Sequence, residues 1–296
     1  MAQKGKIQYV MLDMLDSLDK HSKWDKLYRY TLKTEELYGV DETIEMYNFY
    51  FGSTLILFSV LPDFTSEENW SEVSMDDIRD VVINNEKGLN EAMEPYMTGP
   101  SRAKKTKTHL FRLVKREGGK YFTSNFCLTE FFYVVHHSSR FNVPYGTLNT
   151  GQELITIKEM KRVFEEGKEF PGSRHFPLDI RTSSDSFYTP NTNLEHWWLV
   201  QHEYLSRMFD INDEKAYQFW SFTDWRGQDN LKLHRGIDRF VYMPERGIVA
   251  GSYDFWFLFV NSWSFIENGR DRHNKTNEEL WQNVLQEKVM LAEELK

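Results

Sequence analysis

The chain has 296 residues, of which 16% are aromatic, and its net charge is −9 at pH 7. A chain of this length can bury a full hydrophobic core without disulfides, and the lone cysteine, Cys127, excludes an internal one. The single thiol predicts a reducing compartment, and Asp13 and Asp16 interrupt the apolar positions that a secretory signal needs. We therefore expect a cytoplasmic protein.

The first hundred residues are acidic and show helical periodicity. They carry 19 acidic and 9 basic side chains. Apolar residues recur at helical spacing over residues 7–18, with aspartates on the other face, and a second helical pattern covers residues 24–32. Both stretches predict amphipathic helices.

Two further helices are predicted before residue 97. Asp41 is placed to cap a helix that runs to about Val60, and its apolar run, residues 50–61, is about half the ~20 residues of a membrane span. The sequence Ser74-x-x-Asp77 resembles a capping box and predicts the start of an acidic helix. We therefore predict an acidic, mostly helical region over residues 1–97.

The pattern changes after a loop rich in Gly, Pro, Ser and Lys at residues 98–107, which we interpret as a domain boundary. Beyond it the apolar period is two. Residues 109–126 predict a β-hairpin that turns at Gly118 and Gly119, and residues 128–136 predict a further strand. The second region then covers residues 98–296.

Helical patterns return in the second region. They cover residues 157–166, 193–209, 213–225 and 276–296, and residues 167–190 predict a long surface loop. Asp213 is placed to cap the third of these helices, and Thr276-x-x-Glu279 is a capping box for the last.

A central hairpin is predicted over residues 238–263. Its turn lies at residues 244–247, where Gly247 occupies the position that needs a positive φ. The run over residues 255–260 is apolar on both faces, which predicts a strand in the middle of a sheet. The fold class we predict is therefore α+β: a largely helical acidic N-terminal region followed by an antiparallel, aromatic-rich sheet packed with helices.

The histidines are weak candidates for a metal site. His136 and His137 are adjacent, and neighbours on a strand point to opposite faces. His196 and His202 are six residues apart on a predicted helix, so they diverge around its axis. The sequence contains no nucleophile elbow and no glycine-rich phosphate loop, and Cys127 lies in an apolar strand where a thiol is inert. We expect no cofactor.

A basic cluster is the strongest candidate for binding. Residues 101–120 contain one acidic residue, Glu117, and eight basic ones: Arg102, Lys104, Lys105, Lys107, Arg112, Lys115, Arg116 and Lys120. Such a cluster neutralises phosphates or docks on an acidic protein surface, and residues 1–100 of the same chain offer one. We predict an anion-binding or partner-binding segment, with a solvated loop as the alternative.

The main functional hypothesis is a non-enzymatic assembly or structural protein. It acts through protein–protein contacts with itself or with other proteins, as a subunit of a homomeric or virion-like complex. Charge polarity, abundant aromatic residues and the missing catalytic motif favour this hypothesis. One alternative is a metal-dependent hydrolase or nuclease that uses dispersed histidines and carboxylates. A further alternative is a nucleic-acid-binding module that acts through residues 101–120.

Overall fold

The computed structural model divides into two compact units. The first comprises residues 1–32 and 42–133, and the second comprises residues 33–41 and 134–296. The residues that the structure describes are 6–18, 26–64, 66, 68–97, 106–138, 146–166, 176, 178–180, 202–222, 236–258 and 272–296. These residues are mostly β-sheet and form three sheets, so the predicted α+β class with a largely helical N-terminal region is wrong.

The first unit contains most of the strands that replace predicted helices. Its strands are β1 (Gln8–Met11), β2 (Leu27–Lys33), β3 (Thr43–Phe51), β4 (Thr54–Val60), β5 (Trp70–Val73), β6 (Val82–Ile83), β7 (Lys107–Thr108), β8 (Phe111–Glu117), β9 (Lys120–Ser124) and β10 (Cys127–Val135), the last of which ends in the second unit. Its helices are α1 (Leu12–Leu18), α3 (Met75–Ile78) and α4 (Glu86–Met97).

One sheet of the first unit has the order β5-β9-β8-β1-β6. Strand β1 runs parallel to both β8 and β6, whereas β8, β9 and β5 are antiparallel. Gly118 and Gly119, with φ of 57° and 82°, form the turn between β8 and β9, so the hairpin predicted over residues 109–126 is confirmed. The division into separate domains at residues 97 and 98 stays a prediction.

The second sheet shows why residues 41–60 were wrongly predicted as a helix. Strands β3 and β4 form a hairpin around Gly52, which has a φ of 57°. Every residue of β4 is buried, so the strand shows no polar alternation, and a short buried strand cannot be told from a buried helix by periodicity. Within this unit the sheet continues as β10-β4-β3-β2, with β7 beside β10.

Three other helical predictions in this unit are wrong in part or whole. Residues 7–18 divide into β1 and the short α1. Of the helix predicted over residues 24–32, residues 24 and 25 lie outside the described part, and residues 27–32 belong to β2. Ser74 does cap a helix, because its side chain accepts a hydrogen bond from the Asp76 amide. That helix, α3, ends at Ile78, and α4 begins only at Glu86.

The core of the first unit is aromatic and lies between its sheets and α4. The Tyr96 ring on α4 stacks on Phe131, with ring centroids 4.8 Å apart, and meets Phe111 edge to face. Val10 and Phe49 are fully buried in the same cluster. Such aromatic pairs stabilise a core beyond their buried area, by about 0.5–1.5 kcal/mol each.

The second unit is built on one antiparallel sheet with the order β12-β13-β14-β15-β16. Its strands are β11 (Thr147–Asn149), β12 (His202–Ile211), β13 (Glu214–Phe222), β14 (Arg239–Met243), β15 (Gly247–Ser252) and β16 (Met290–Leu291). Its helices are α2 (Glu35–Tyr38), α5 (Ile157–Glu165), α6 (Asp254–Leu258) and α7 (Asn277–Leu285), followed by a 3-10 turn at Glu293–Leu295. Strand β12 is therefore an edge strand of its sheet.

Two predicted helices of the second unit are strands. Residues 193–201 lie outside the described part, but the rest of the helix predicted over residues 193–209 belongs to β12. The helix predicted over residues 213–225 is β13 as far as Phe222. Asn212 and Asp213 do not cap a helix, because with φ of 49° and 64° they form the turn between these strands. Two consecutive left-handed residues suit a tight hairpin, and Asn and Asp tolerate that conformation.

The central hairpin is confirmed only in its first half. Strands β14 and β15 pair around the predicted turn, and Gly247 has a φ of 80°. The strand predicted over residues 255–260 is wrong, because its described residues belong to α6. Apolar residues on all sides are compatible with a short buried helix as well as with a central strand.

The capping box predicted at Thr276 is confirmed, and the structure shows a second one, at Thr156, that was not predicted. Thr156 and Thr276 each accept a hydrogen bond from the amide three residues later, and the glutamate at that position bonds back to the cap. The C-terminal helix is shorter than predicted, since α7 ends at Leu285 and the chain continues as β16.

Candidate functional site

The outer half of β12 is the most exposed apolar surface among the described residues. Met208 is 55% exposed and Phe209 is 37% exposed, and Arg207 and Asp210 beside them are exposed as well. Met208 lies opposite Tyr217 and Phe209 lies opposite Ala216, so the two apolar side chains are on opposite faces of the strand. An edge strand with apolar groups on both faces is a typical docking element.

The hairpin that carries this strand is held by polar contacts at its tip. Lys215 lies 2.8 Å from Asp210 across the strand pair. The Arg246 guanidinium makes two hydrogen bonds to the Glu214 carboxylate, one of them 2.7 Å long from Nε. These pairs are exposed to solvent, which screens their charges, so they add little to stability.

The inner half of β12 is covered. The Ile155 amide donates to the Leu205 carbonyl at 2.9 Å, and the Gln152 side chain donates to the Glu203 carbonyl at 3.0 Å. The pairing with β13 shifts by one residue at Ser206, which is a β-bulge. The covered part of the strand therefore ends at Leu205.

Beyond the bulge, the backbone of residues 206–211 pairs with β13 on one side only. No backbone hydrogen bond from any other described residue reaches this stretch. The Arg207 side chain is engaged, since it donates to the Gln286 carbonyl at 3.0 Å. We name residues 206–211 the open edge.

The predicted basic segment is described only in part. Arg102, Lys104 and Lys105 lie outside the described residues. The others are distributed over three strands: Lys107 in β7, Arg112, Lys115 and Arg116 in β8, and Lys120 in β9. The anion-binding or partner-binding role of these residues stays a prediction.

The exposed basic residues of the hairpin have local partners. Lys115 lies 3.0 Å from Glu117 and its ammonium is 4.6 Å from the centroid of the Trp70 ring. Lys120 lies 2.7 Å from Glu72. These contacts reduce the positive potential that the sequence alone suggests.

Arg112 differs because it is buried, with an exposure of 8%. Its Nη1 donates to the carbonyls of His109 at 2.9 Å and of Phe111 at 3.0 Å. Burial, with a smaller effect of the Arg112 charge, lowers the pKa of His109 to about 4. His109 is therefore neutral at pH 7, and Arg112 is an interior residue of β8 rather than part of a surface cluster.

The four candidate histidines are not brought together within the described part of the chain. His136 and His137 are exposed, and the His137 amide donates to the Asn149 side chain at 2.8 Å. His196 lies outside the described residues, and His202 begins β12 rather than a helix. Over the ranges that the structure describes, no three His, Cys, Asp or Glu residues are grouped so as to hold a metal ion.

Cys127 behaves as the sequence predicts. The thiol is free and buried in the core of the first unit. Burial raises the pKa of Cys127 to about 11, so the reactive thiolate is scarce at neutral pH.

A buried polar cluster in the second unit was not predicted. Arg239 on β14 makes two hydrogen bonds to Asp254, and both side chains are at most 3% exposed. The Tyr38 hydroxyl donates to Asp254 at 2.9 Å and accepts from the Tyr253 amide at 2.7 Å. The cluster adjoins a small cavity that is also lined by Trp220. The sequence contains no signal for it, because its members are as many as 216 residues apart.

This cluster is suited to stability rather than to chemistry. Burial, with a smaller effect of the Asp254 charge, raises the pKa of Tyr38 well above its usual range, so the hydroxyl keeps its proton. The Arg239 charge is compensated by Asp254, and its Nε also donates to the Lys288 carbonyl at 3.0 Å. Fully bonded buried polar groups of this kind hold elements in a single arrangement.

Comparisons with known proteins identify no relative. The sequence matches no family model, no curated protein and no solved structure. Within the described residues, no helix has the length and apolar character needed to cross a membrane.

Proposed function

We propose that this protein is a non-enzymatic assembly protein that acts through protein–protein contacts, as a subunit of a larger homomeric or virion-like complex. The observation that carries the proposal is the open edge of β12, where Met208 and Phe209 are exposed at the edge of an otherwise buried sheet. Fully burying a Met or Phe side chain contributes roughly 1.5–3 kcal/mol. A strand added at this edge would gain backbone hydrogen bonds as well.

A contact at the open edge differs in its salt response from one made by the basic segment. Salt does not screen apolar burial or backbone hydrogen bonds. It does screen an attraction between the acidic and basic segments. We propose the open edge as the main contact, because Lys115 and Lys120 already have acidic partners in their own unit. We further propose a cytoplasmic location, which the free, buried thiol of Cys127 supports.

Light-scattering mass across a sizing column, at low and at high salt, tests the proposal. We expect a mass of at least two chains at both salt concentrations, with the absorbance ratio at 260 and 280 nm of a protein free of nucleic acid. A monomer at every concentration and salt would overturn assembly with itself. A raised ratio that falls with salt would instead favour the nucleic-acid-binding alternative.

Surface substitutions test whether the open edge is the assembly contact. Phe209→Lys should lower the measured mass, because it places a charge where apolar surface is buried on association. Ile7→Lys is the matched control, since Ile7 is 38% exposed against 37% for Phe209 and lies in the first unit. Equal loss of mass in both variants would argue against the open edge. The metal-dependent hydrolase or nuclease alternative stays a prediction.

A further inference from the structure

We infer that Met208 is a site of reversible oxidation, and that its sulfoxide weakens the contact proposed at the open edge. The inference rests on the proposed function and adds an oxidation switch to it. It starts from the exposure of one side chain. Met208 is 55% exposed on an edge strand of its sheet, so small oxidants in water can reach its thioether.

The other methionines that the structure describes are shielded. Three of them are half-buried, namely Met11, Met75 and Met97. The remainder are at most 8% exposed: Met14, Met46, Met93, Met160, Met243 and Met290. Because a small oxidant in solution reaches exposed sulfur first, Met208 should react before all of these methionines.

The thiol of Cys127 does not compete for the oxidant. It is free but only 1% exposed. Burial raises the pKa of Cys127 to about 11, so little of the reactive thiolate is present at neutral pH. Oxidation by a peroxide is therefore directed to the methionine at the open edge and not to the lone cysteine.

The reaction with hydrogen peroxide balances without a cofactor. The Met208 sulfur attacks one peroxide oxygen, so that an S–O bond forms as the O–O bond breaks. The second oxygen takes the proton of the first and leaves as water. The sulfur loses two electrons and the peroxide gains them. The product is methionine sulfoxide, which thiol-dependent methionine sulfoxide reductases convert back to methionine.

The sulfoxide changes what the open edge can bury. In the proposed contact the apolar side chains of Met208 and Phe209 leave water. A sulfoxide oxygen is polar, and burying it without a hydrogen-bond donor is costly. On the face that carries Met208, the Lys215 ammonium already pairs with Asp210 at 2.8 Å. We therefore expect oxidation to weaken association roughly tenfold to hundredfold.

Treatment of the full chain with hydrogen peroxide tests the site and the switch. Peptide mapping by mass spectrometry follows the gain of one oxygen at each methionine, and light scattering follows the mass. We expect Met208 to be oxidised first, the mass to fall in step with it, and a methionine sulfoxide reductase to reverse both changes. Oxidation spread evenly over the methionines would overturn the site. Selective oxidation of Met208 with an unchanged mass would overturn the switch.

Two leucine variants identify the methionine that is responsible, each compared with itself before and after peroxide. Met208→Leu removes the exposed sulfur, so peroxide should not change its mass. Met75→Leu is the matched control in the first unit and should still lose mass. Equal responses of the two variants would overturn the assignment to Met208.

The dependence on protein concentration is a second measurement that needs no variant. Association covers Met208, so its oxidation in the native chain should be slower at high protein concentration than at low concentration. A rate that does not depend on concentration would overturn the switch.

The outcomes separate this inference from the proposed function. A chain that is monomeric before peroxide is added overturns assembly with itself and the switch together, whereas selective oxidation of Met208 still supports the site. A multimer whose mass survives complete oxidation of Met208 retains assembly and overturns the switch alone.

Discussion

Replacing Arg239 by methionine should strongly destabilise the second unit. The Arg239 side chain is 2% exposed and its partner Asp254 is 3% exposed. The substitution removes two hydrogen bonds to Asp254 and one to the Lys288 carbonyl. It also removes the cation that interacts with the buried carboxylates of Asp254 and Asp238. Breaking a buried pair from one side costs about 3–5 kcal/mol, so we expect a loss in that range.

A double-mutant cycle separates the pair from its surroundings. Asp254→Leu alone should also cost about 3–5 kcal/mol, because it leaves the Arg239 cation unpaired in the interior. The double variant should cost clearly less than the sum of the two single variants, since it removes both charges. The measurement is the free energy of unfolding in urea, with hydrogen exchange of β14 and β15 amides to assign the loss to this unit.

Arg246→Met is the matched control. Arg246 also makes a two-point contact with a carboxylate, that of Glu214, but the two side chains are 39% and 43% exposed. Solvent screens an exposed pair, so this variant should lower the free energy of unfolding far less than Arg239→Met. If Arg239→Met costs no more than Arg246→Met, or if the two substitutions in the cycle are additive, the argument from buried uncompensated charge is refuted.

Three further predictions test other features of the structure. Tyr38→Phe should cost about 1–3 kcal/mol in urea unfolding because it removes the buried hydroxyl that accepts from the Tyr253 amide and donates to Asp254, and a neutral result would contradict this bonding. Gly251→Ala should lower the melting temperature, since its Cβ would overlap Ile237 Cδ1 and lie 2.9 Å from Cγ1, and Ile237→Val, which removes Cδ1, should restore part of the loss; additive effects would exclude this contact. In the unfolded chain His109 takes up a proton below about pH 6.5, whereas in the folded protein its pKa is lowered to about 4, so the free energy of unfolding falls as the pH drops through this range. His109→Gln should flatten the free energy of unfolding between these two pH values. An unchanged pH profile would count against a neutral buried histidine.

Local signals in the sequence were reliable where short-range chemistry decides the structure. Thr276 caps a helix, as predicted, because its hydroxyl and the glutamate three residues later each accept a hydrogen bond from the other residue's amide. Gly118 and Gly247 mark turns because their backbone angles are costly for other residues. These features need no information from distant parts of the chain.

The helical prediction for residues 41–60 failed because burial on both faces removes the alternation that identifies a strand. All residues of β4 are buried, and its neighbours in the sheet supply the partners that make an extended backbone favourable. The same holds for β13, where residues from Gln218 to Phe222 are buried. Tertiary pairing overrides helical periodicity in such runs.

The candidate site could not be predicted from the sequence for a similar reason. Met208 was expected as one apolar member of a helix, and its neighbours Asn212 and Asp213 were the available sign of a hairpin. Even with the hairpin recognised, the sequence does not show that β12 is at the edge of its sheet. Exposure of Met208 follows from strand order, which depends on residues far along the chain.

The sequence by itself determined the helix caps at Ser74 and Thr276, the glycine turns and the inert environment of Cys127, because each depends on neighbours within a few positions. Only the tertiary structure decided which apolar runs become strands, that Arg112 is buried, and that β12 has an open edge. Those outcomes follow from long-range strand pairing, in which residues far apart in sequence bury one another's faces and satisfy one another's backbone.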